Sequence, residues 1–416
     1  MNNRIYLCLA HMSETGLEQK YIKEAFDTNW VVPLGPNVNG FEKDLEDFCG
    51  QNKRVVALSA GTAAVHLALL ACGVGPGDEV LVQGFTFCAS SHPITYLGAT
   101  PVFIDSEKDT WNMDPELLEE AIKDRIAKTG KKPKAIVPVA LYGMPYRIDR
   151  IMKIANKYDI PVVEDAAEGF GSRFNGQVLG TFGKYGVLSF NGNKMITTSG
   201  GGALITASED EWREIMMYAT QYRESYPYYQ HEKIGYNYRM SNICAGIGRG
   251  QMTVVNDHIA HHKHVQKLYE KLLKDVKGVT VHSQPATGEY DSNYWLCTIC
   301  LDPDLKIKGQ ENAYKTIVKG AVGGAAGVIH VADSATTDCQ PNENVESLRV
   351  YMDAAGIEAR PVWKPMHKQP VYKNAPAYVN GVSEAIFKVG MCLPAGPYVS
   401  DEDVKYIVET IKSAIE

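Results

Sequence analysis

Two side chains in this chain of 416 residues have the chemistry and the spacing of a cofactor site. Lys194 lies in a loop rich in serine and glycine, S189-F-N-G-N-K-M-I-T-T-S-G-G-G202, and Asp165 ends the apolar segment I160-P-V-V-E-D165. A lysine amine can bind the aldehyde of pyridoxal phosphate covalently, and a carboxylate can keep the pyridine nitrogen of that cofactor protonated. The pair therefore predicts a pyridoxal phosphate site in which Lys194 is the catalytic residue.

The segment V55-V-A-L-S-A-G-T-A-A-V-H-L-A-L-L70 has the pattern of a strand, a tight turn and a helix. Gly61 allows the backbone to approach a ligand closely, and Thr62 opens the helix with a hydroxyl group. The amino terminus of a helix has free N–H groups and a partial positive charge, so it can bind a phosphate. An ordinary helix cap has the same pattern, so this signal alone leaves both readings open. Ser189 offers a second hydroxyl to the same phosphate.

A flat side chain and a strand edge complete the expected site. Phe87 follows a strand that ends near Gln83, so its ring can either stack on the cofactor or lie in the core. Asp165 stands at the carboxyl end of its own strand, where open α/β sheets bind their ligands. Each residue alone has an ordinary explanation, such as an exposed loop for Lys194. Their order along the chain favours one shared site at one edge of a sheet.

Apolar strands alternate with helices in the first half of the chain. The expected strands cover residues 55–59, 79–83, 101–105, 135–140, 160–164 and 186–190. Several of them lack polar alternation, which is typical of parallel strands that helices cover on both faces. The pattern predicts a doubly wound α/β fold with a mostly parallel sheet.

The pattern changes near residue 257, where a long helix is followed by mixed strands and helices. We therefore expect a large α/β domain at residues 1–256 and a smaller α+β domain at residues 257–416. A length of 416 residues also exceeds the usual size of a single domain. A segment at about 303–344, dominated in its middle by glycine and small residues, interrupts the second domain as an insertion.

The composition is that of an ordinary globular protein, with 45% hydrophobic residues, 22% charged residues and a net charge of -7. The negative charge argues against nucleic acid and anionic membranes as partners. No apolar stretch reaches the roughly 20 residues that a membrane span needs, and the first residues lack the pattern of a secretory signal. Nine cysteines without a regular spacing suit a reducing compartment, so we expect a cytoplasmic enzyme.

Three other motifs could carry chemistry but lack supporting partners. Cys297 and Cys300 form a C-x-x-C pair within an expected strand, where residues three apart point to opposite faces. His258 and His262 lie one helical turn apart and could bind a metal, although no further ligand motif is visible. The glycine cluster at residues 323–327 does not follow a clear strand, so it is a weak candidate for a phosphate loop. We expect no metal site.

A series of motifs extends over nearly the whole chain. They are L34-G-P-N-V-N-G-F-E42, S59-A-G-T-A-A-V-H-L-A-L69, G77-D-E-V80, T86-F87, E164-D-A-A-E-G-F-G-S172, S189-F190, Lys194, G235-Y-N-Y-R-M-S241 and R360-P-V-W-K-P-M-H-K-Q-P-V-Y372. Together they resemble the sugar-nucleotide aminotransferases of the DegT/DnrJ/StrS family, which are fold type I pyridoxal phosphate enzymes. The opening and the segment 356–367 look most similar to members that serve exopolysaccharide and bacillosamine-type glycan pathways.

The resemblance implies a role for each matching residue. The cofactor would be held by Gly61, Thr62, Phe87, Asp165, Glu168, Ser189, Lys194 and Asn237. The sugar nucleotide would be lined by Arg239, Trp363 and His367. Asn237 matches a residue that reaches the cofactor phosphate of the neighbouring subunit, which implies a homodimer with shared active sites. Glu168 departs from the family pattern, because many relatives have glutamine or histidine near the phenolic oxygen of the cofactor.

The reaction implied by the resemblance is the transfer of an amino group from L-glutamate to a 4-keto-6-deoxy sugar on a nucleoside diphosphate. The expected substrate is UDP-2-acetamido-2,6-dideoxy-4-keto-hexose, and the expected product is the 4-amino sugar. Amination at the 3-position, a GDP-linked sugar of the perosamine type and a non-catalytic regulatory protein on the same fold stay open as alternatives. A dehydratase branch of the family carries histidine in place of the lysine, so Lys194 argues against that activity.

Overall fold

The computed structural model describes residues 4–314 and 339–416. Its helices are α1 (Leu17–Asp27), α2 (Pro36–Cys49), α3 (Gly61–Ala71), α4 (His92–Tyr96), α5 (Pro115–Thr129), α6 (Ile148–Tyr158), α7 (Glu209–Ala219), α8 (Asn242–Met252), α9 (Val255–Leu273), α10 (Glu343–Ala354), α11 (Val382–Val389) and α12 (Asp401–Ala414). The glycine cluster at residues 323–327 and most of the expected insertion lie outside the described residues.

The strands lie between these helices. They are β1 (Arg54–Leu58), β2 (Glu79–Gln83), β3 (Thr100–Ile104), β4 (Ala135–Val137), β5 (Val163–Asp165), β6 (Arg173–Phe174), β7 (Gln177–Val178), β8 (Tyr185–Ser189), β9 (Gly202–Thr206), β10 (Val279–Val281), β11 (Tyr290–Asp291), β12 (Cys297–Leu301), β13 (Arg360–Pro361), β14 (Ala377–Tyr378) and β15 (Gly390–Leu393).

The large sheet has the order β1-β9-β8-β5 on one side and β4-β2-β3-β14 on the other. Parallel bridges between Ile136 and Val162 and between Val139 and Asp165 join β4 to β5, so the two groups form one continuous sheet. The pairs within this sheet are parallel except at β9, which runs antiparallel to both β1 and β8. The expectation of a mostly parallel sheet is confirmed, but β9 was not among the expected strands.

Burial on both faces explains the apolar composition of these strands. In β9, with the sequence GALIT, all five residues are buried, and in β1 every residue after Arg54 is buried. Helix α3 is buried over seven successive residues, Ala63 to Leu69, because it lies between the sheet and other helices. A strand covered on both faces has no polar side to show, so its sequence lacks alternation.

A second apolar core lies in the carboxyl-terminal part of the chain. Its antiparallel sheet has the order β10-β12-β15-β13, and helices α9, α10 and α12 contribute core residues, among them Tyr269, Leu348 and Ile407. The amino-terminal segment packs here as well, because Ile5 bridges to Ile357. Strand β14 leaves this part and pairs with β3 of the large sheet. A segment before residue 257 therefore packs in the second core, and a strand after residue 257 belongs to the large sheet.

None of the helices in residues 4–314 and 339–416 combines the length and the hydropathy that crossing a membrane requires.

Candidate active site

Most of the residues singled out from the sequence meet in one cavity of about 370 Å³. Its lining includes Gly61, Thr62, Phe87, Asp165, Glu168, Ser189, Lys194 and Trp363. The cavity lies at the carboxyl edge of the large sheet, because Asp165 ends β5, Ser189 ends β8 and Gly61 follows β1. Parallel strands bring their carboxyl ends to the same edge, so residues far apart in sequence become neighbours.

Asp165 is buried at the floor of this cavity and is held by two donors. The hydroxyl of Ser90 donates to its Oδ2 at 2.6 Å, and the N–H of Ala167 donates to its Oδ1 at 3.1 Å. Ser90 gives its only proton to Asp165, so Thr86 is the donor in the 2.8 Å contact between the Thr86 and Ser90 hydroxyls. Burial raises the pKa of Asp165, while the two hydrogen bonds and the Lys194 charge oppose that rise.

Lys194 projects into the same cavity from the loop between β8 and β9. Its backbone N–H donates to the carbonyl of Asn191 at 3.0 Å, which shapes a turn within the loop. Its Nζ lies 3.5 Å from Glu168 Oε1, and only 14% of the lysine side chain is exposed. The other Glu168 oxygen accepts the backbone N–H of Tyr142 at 2.7 Å. Burial raises the pKa of Glu168, and the Lys194 charge opposes the rise.

The amino terminus of α3 opens into the cavity without a capping side chain. Ala60 is the N-cap residue and its methyl side chain cannot accept a hydrogen bond, so in the part of the chain that the structure describes no N-cap side chain competes with an anion for the first amides of α3. A Cβ at Gly61 would lie 3.0 Å from the Ser189 Cβ, and one at Gly202 would lie 2.4 Å from the Gly61 nitrogen. The absence of side chains at both positions therefore lets the turn before α3 approach Ser189 closely.

Aromatic rings form the outer wall of the cavity. Phe87 and Trp363 lie 5.4 Å apart between ring centroids, and the Trp363 ring stacks on Tyr142 at 6.0 Å. The Trp363 backbone N–H donates to the Tyr142 hydroxyl at 2.7 Å, which fixes the distance between these two rings. The Trp363 indole N–H is buried and has no hydrogen-bond partner within residues 4–314 and 339–416. The wall thus offers a flat apolar surface to the cavity.

Asn237, Arg239 and His367 do not line this cavity. Asn237 and Arg239 line a neighbouring groove that shares Ser59 and Gly200 with the cavity. The Arg239 guanidinium is already engaged, because it donates to Glu42 at 2.5 Å and to the carbonyl of Ala57 at 2.9 Å.

His367 lies instead beside Gly84. Its Nδ1 is buried and lacks a partner among the described residues, and a Cβ at Gly84 would meet it at 3.2 Å. Burial lowers the pKa of His367, which favours the neutral imidazole.

The cavity also contains residues that the sequence did not single out. Ser90 binds Asp165, and Trp295 places its ring 4.1 Å from the Lys194 Nζ. Neither belongs to a motif that predicts contact with Asp165 or Lys194, and Trp295 stands about one hundred positions after the lysine. Only an alignment or a structure could have identified them.

His258 and His262 of α9 are buried and form hydrogen bonds with backbone carbonyl groups of the protein. His258 hydrogen-bonds the carbonyl of Met195 at 3.1 Å, and His262 hydrogen-bonds that of Tyr294 at 3.2 Å. Burial lowers the pKa of His262 to about 3, so this side chain is neutral. In the described ranges, no group of three or more histidine, cysteine, aspartate or glutamate side chains is arranged to hold a metal ion.

The C-x-x-C pair is divided between the two cores. Cys297 belongs to the second core, whereas Cys300 packs against the first one, as opposite faces of β12 require. Burial raises the pKa of Cys300 to about 12 and that of Cys297 well above its usual value. Both thiols are therefore protonated and poor nucleophiles.

A doubly wound sheet with a lysine, a buried carboxylate and an open helix terminus at one edge defines the architecture of a fold type I pyridoxal phosphate enzyme. The family model of the DegT/DnrJ/EryC1/StrS aminotransferase family matches residues 13–326 and 310–412, and the chain belongs to this family. It is a pyridoxal phosphate-dependent sugar-nucleotide aminotransferase, as its motifs predict.

Relatives of known sequence and structure cover nearly the full length of the chain. The putative pyridoxal phosphate-dependent aminotransferase EpsN of Bacillus subtilis is 40% identical over 415 residues, which are 99% of this chain and 96% of EpsN. GDP-perosamine synthase of Escherichia coli O157:H7 is 33% identical over 408 residues, 98% of each chain. The structure of the putative sugar aminotransferase Spr1654 from Streptococcus pneumoniae, in its PLP form, superposes on this one with a TM-score of 0.82 at 25% identity. The superposition covers 99% of this chain and 98% of Spr1654.

The side chains of the cavity fit pyridoxal phosphate. The uncapped terminus of α3 and the Ser189 hydroxyl suit a phosphate. Asp165 has lone pairs left for a pyridinium N–H, because among the described residues only two donors hold it. A volume of about 370 Å³ is within the usual size of a small-molecule site. Phe87 is exposed over 49% of its surface, so one ring face is free to stack.

Proposed function

We propose that this enzyme transfers the amino group of L-glutamate to the keto carbon of a nucleotide-linked 4-keto-6-deoxy sugar. The expected substrate is UDP-2-acetamido-2,6-dideoxy-4-keto-hexose, which becomes the 4-amino sugar for polysaccharide or glycan biosynthesis. One observation supports the proposal above all. One cavity contains the amine of Lys194, the buried carboxylate of Asp165 and the open amino terminus of α3.

The proposed roles follow from the chemistry of these side chains. When bound, pyridoxal phosphate takes the amino group from the donor and passes it to the keto sugar. The Lys194 amine would hold the cofactor at rest, and it would remove a proton from one carbon and return it to another during turnover. The Asp165 carboxylate would hold the proton on the pyridine nitrogen. Phe87 would stack on the cofactor ring, and Trp363 would line the side of the cavity that takes the sugar nucleotide.

Substitution of Lys194 tests these roles directly. We expect Lys194→Ala to abolish turnover and the visible absorbance of the lysine-bound cofactor, because no other amine lines the cavity among the described residues. The measurements are product formation by mass spectrometry and the absorption spectrum of the purified protein. Full steady-state transamination by this variant would contradict the assignment of Lys194.

A GDP-linked sugar is the second candidate substrate. Relatives named GDP-perosamine synthase from Escherichia coli and Caulobacter vibrioides are both 33% identical and are covered over nearly their whole length. A panel of UDP-, GDP- and TDP-linked keto sugars with L-glutamate separates the candidates by the mass of the aminated product. NMR of the product then distinguishes the 3-amino from the 4-amino sugar. Selective turnover of the GDP-linked sugar would overturn the UDP-linked proposal.

We also propose that the enzyme acts as a homodimer in which Asn237 serves the site of the neighbouring subunit. Asn237 is exposed, and its groove includes the apolar side chains Val31 and Val32, which are 48% and 40% exposed. Exposed apolar surface next to a site is typical of a subunit interface.

A mixture of two variants, each of which we expect to be inactive alone, tests this arrangement. Lys194→Ala lacks the lysine of its own site, and Asn237→Ala lacks the residue that would reach the site of the neighbouring subunit. We expect Lys194→Ala and Asn237→Ala to recover activity when they are unfolded and refolded together, because each mixed dimer has one site with both residues intact. Random mixing gives about a quarter of the wild-type activity. Each variant refolded alone is the control, and no recovery in the mixture would contradict a shared site.

A further inference from the structure

Tyr142 is a buried residue that contacts two residues of the cavity but does not line the cavity itself. Its backbone N–H donates to Glu168 Oε2 at 2.7 Å, and its hydroxyl accepts the backbone N–H of Trp363 at 2.7 Å. The Tyr142 ring also faces the Trp363 ring, with 6.0 Å between the centroids and 24° between the planes. One residue therefore connects the Glu168 side of the cavity with the outer aromatic wall.

The backbone of Tyr142 has a conformation that residues with a side chain rarely adopt. Its φ is 53° and its ψ is 19°, in the left-handed region that glycine enters without strain. Hydrogen bonds on both sides hold the turn in this shape. The Leu141 N–H donates to Asn112 Oδ1 at 3.0 Å. The Ser172 hydroxyl donates to the Gly143 carbonyl at 2.6 Å. Because strained residues persist only where their surroundings fix them, the tyrosine side chain has a fixed position behind the wall.

Backbone N–H groups hold the segment that carries Trp363. Those of Val362 and Met366 donate to backbone carbonyls, at 3.2 and 2.7 Å. That of Trp363 donates instead to a side chain, the Tyr142 hydroxyl. Burial raises the pKa of Tyr142 well above its usual value, so this hydroxyl stays protonated. A substitution at Tyr142 can therefore release Trp363 without removing any backbone hydrogen bond of the neighbouring residues.

We propose that Tyr142 is a positioning residue for the sugar nucleotide, because it holds Trp363 at the outer wall of the cavity. This inference rests on the proposed function. A nucleotide-linked sugar is much larger than L-glutamate, so it must extend from the reacting atoms past the outer wall, whereas glutamate fits close to Lys194 and Asp165. A ring that is already held in place binds such a ligand at a small cost in entropy. The two substrates therefore depend on Tyr142 to different degrees.

Tyr142→Phe tests the proposal, because it keeps the ring and removes the hydroxyl that accepts the Trp363 N–H. The full-length enzyme with its cofactor is assayed with L-glutamate and with the nucleotide-linked keto sugar that the wild type aminates. We expect the KM for the sugar nucleotide to rise about tenfold, the effect of one lost hydrogen bond. The KM for L-glutamate and the rate of the glutamate half-reaction, followed by cofactor absorbance, should change less than about twofold. An unchanged KM for the sugar nucleotide, or an equal rise for both substrates, would overturn the proposal.

Tyr269 provides a matched control. It is buried in the second core, its hydroxyl donates to the carbonyl of Pro394 at 2.9 Å, and it does not line the cavity. Tyr269→Phe therefore also removes one buried hydroxyl and its hydrogen bond. We expect it to lower stability in urea unfolding, as Tyr142→Phe does, and to leave both KM values unchanged. A rise in the KM for the sugar nucleotide as large as that in Tyr142→Phe would show a general effect of lost stability and would count against the proposal.

Trp363→Ala shows whether Tyr142 acts through Trp363, and it keeps the proposal testable if Tyr142→Phe does not fold. We expect Trp363→Ala to raise the KM for the sugar nucleotide by about tenfold or more. Tyr142→Phe should then add little, because the ring that its hydroxyl positions is gone. Fully additive effects, or an unchanged KM in Trp363→Ala, would overturn the proposal.

The wild type separates this inference from the proposed function. A wild-type enzyme that aminates no sugar of the nucleotide-linked panel would overturn both. An active wild type whose KM for the sugar nucleotide is unchanged in Tyr142→Phe would overturn this inference alone.

Discussion

Glu164 and Asp165 are neighbours at the end of β5, and they point to opposite sides of the sheet. Both are carboxylic acids with little exposure, 1% and 6%, and burial raises the pKa of both. Only Asp165 faces the cavity. Two adjacent residues of the same chemistry and similar burial thus occupy two different environments.

Hydrogen bonding distinguishes the two environments. Glu164 accepts the backbone N–H groups of Gly180, Phe182 and Gly183, at 3.1, 2.6 and 2.6 Å. Its oxygens are occupied by the loop between β7 and β8, so Glu164 holds that loop. Asp165 has two donors, and its remaining lone pairs are available to a ligand. Unsatisfied hydrogen-bonding capacity, rather than burial or pKa, separates the binding carboxylate Asp165 from the structural carboxylate Glu164.

For this pair of carboxylates, the largest expected effect is the loss of turnover in Asp165→Ala. Loss of the carboxylate leaves the pyridine nitrogen without a partner, so we expect turnover to fall by roughly 10²–10⁴-fold while some cofactor stays bound. Steady-state kinetics and the absorbance of the bound cofactor measure the two quantities. Unchanged activity would show that Asp165 is not the carboxylate of the site.

Glu164→Ala should affect stability instead of chemistry. Two buried N–H groups, those of Gly180 and Gly183, and the half-buried N–H of Phe182 lose their acceptor, so we expect the free energy of unfolding to fall by about 2–4 kcal/mol. Urea unfolding measures the loss, and activity per mole of folded protein should stay close to the wild type. A folded Glu164→Ala protein that is as inactive as Asp165→Ala would remove the distinction between the two carboxylates.

Ser90→Ala should have a smaller effect on the Asp165 side. It removes the 2.6 Å hydrogen bond to Oδ2 and leaves the Ala167 N–H as the remaining donor. A hydrogen bond to a charged group contributes about 1.5–3 kcal/mol, part of which water can replace in an open cavity. We therefore expect about a tenfold loss in kcat/KM, measured against Ser91→Ala as a neighbouring control.

The smallest expected effect is a change in the pH dependence of stability. Burial raises the pKa of Glu164 in the folded protein, so the folded state binds more protons than the unfolded state. The stability that the protonated Glu164 side chain contributes is therefore complete below its unfolded pKa of about 4.3. It is lost as the pH rises through the folded pKa. Glu164→Gln lacks this titration. We expect the stability difference between wild type and Glu164→Gln to shrink from pH 4.5 to pH 8 in urea unfolding, and a growing difference would contradict the direction of the shift.

The order of residues along the chain predicted much of the cavity. Gly61, Phe87, Asp165 and Ser189 each follow or end a strand of the large sheet, and strands that run parallel place such residues at one edge. Strand β9 could not be anticipated in the same way. Its residues are as apolar as those of a parallel strand, and its antiparallel direction depends on pairing with β1 and β8.

The local sequence determined six strands of the large sheet, the helices between them and the residue types that a pyridoxal phosphate enzyme needs, because apolar runs, helix starts and a loop lysine are features of short segments. Tertiary structure alone decided which carboxylate faces the cavity, and it brought Ser90 to Asp165 and Trp295 to Lys194. These contacts join residues that are 75 and about 100 positions apart. Contacts of that range depend on how the sheet and the second core pack, and no short segment encodes them.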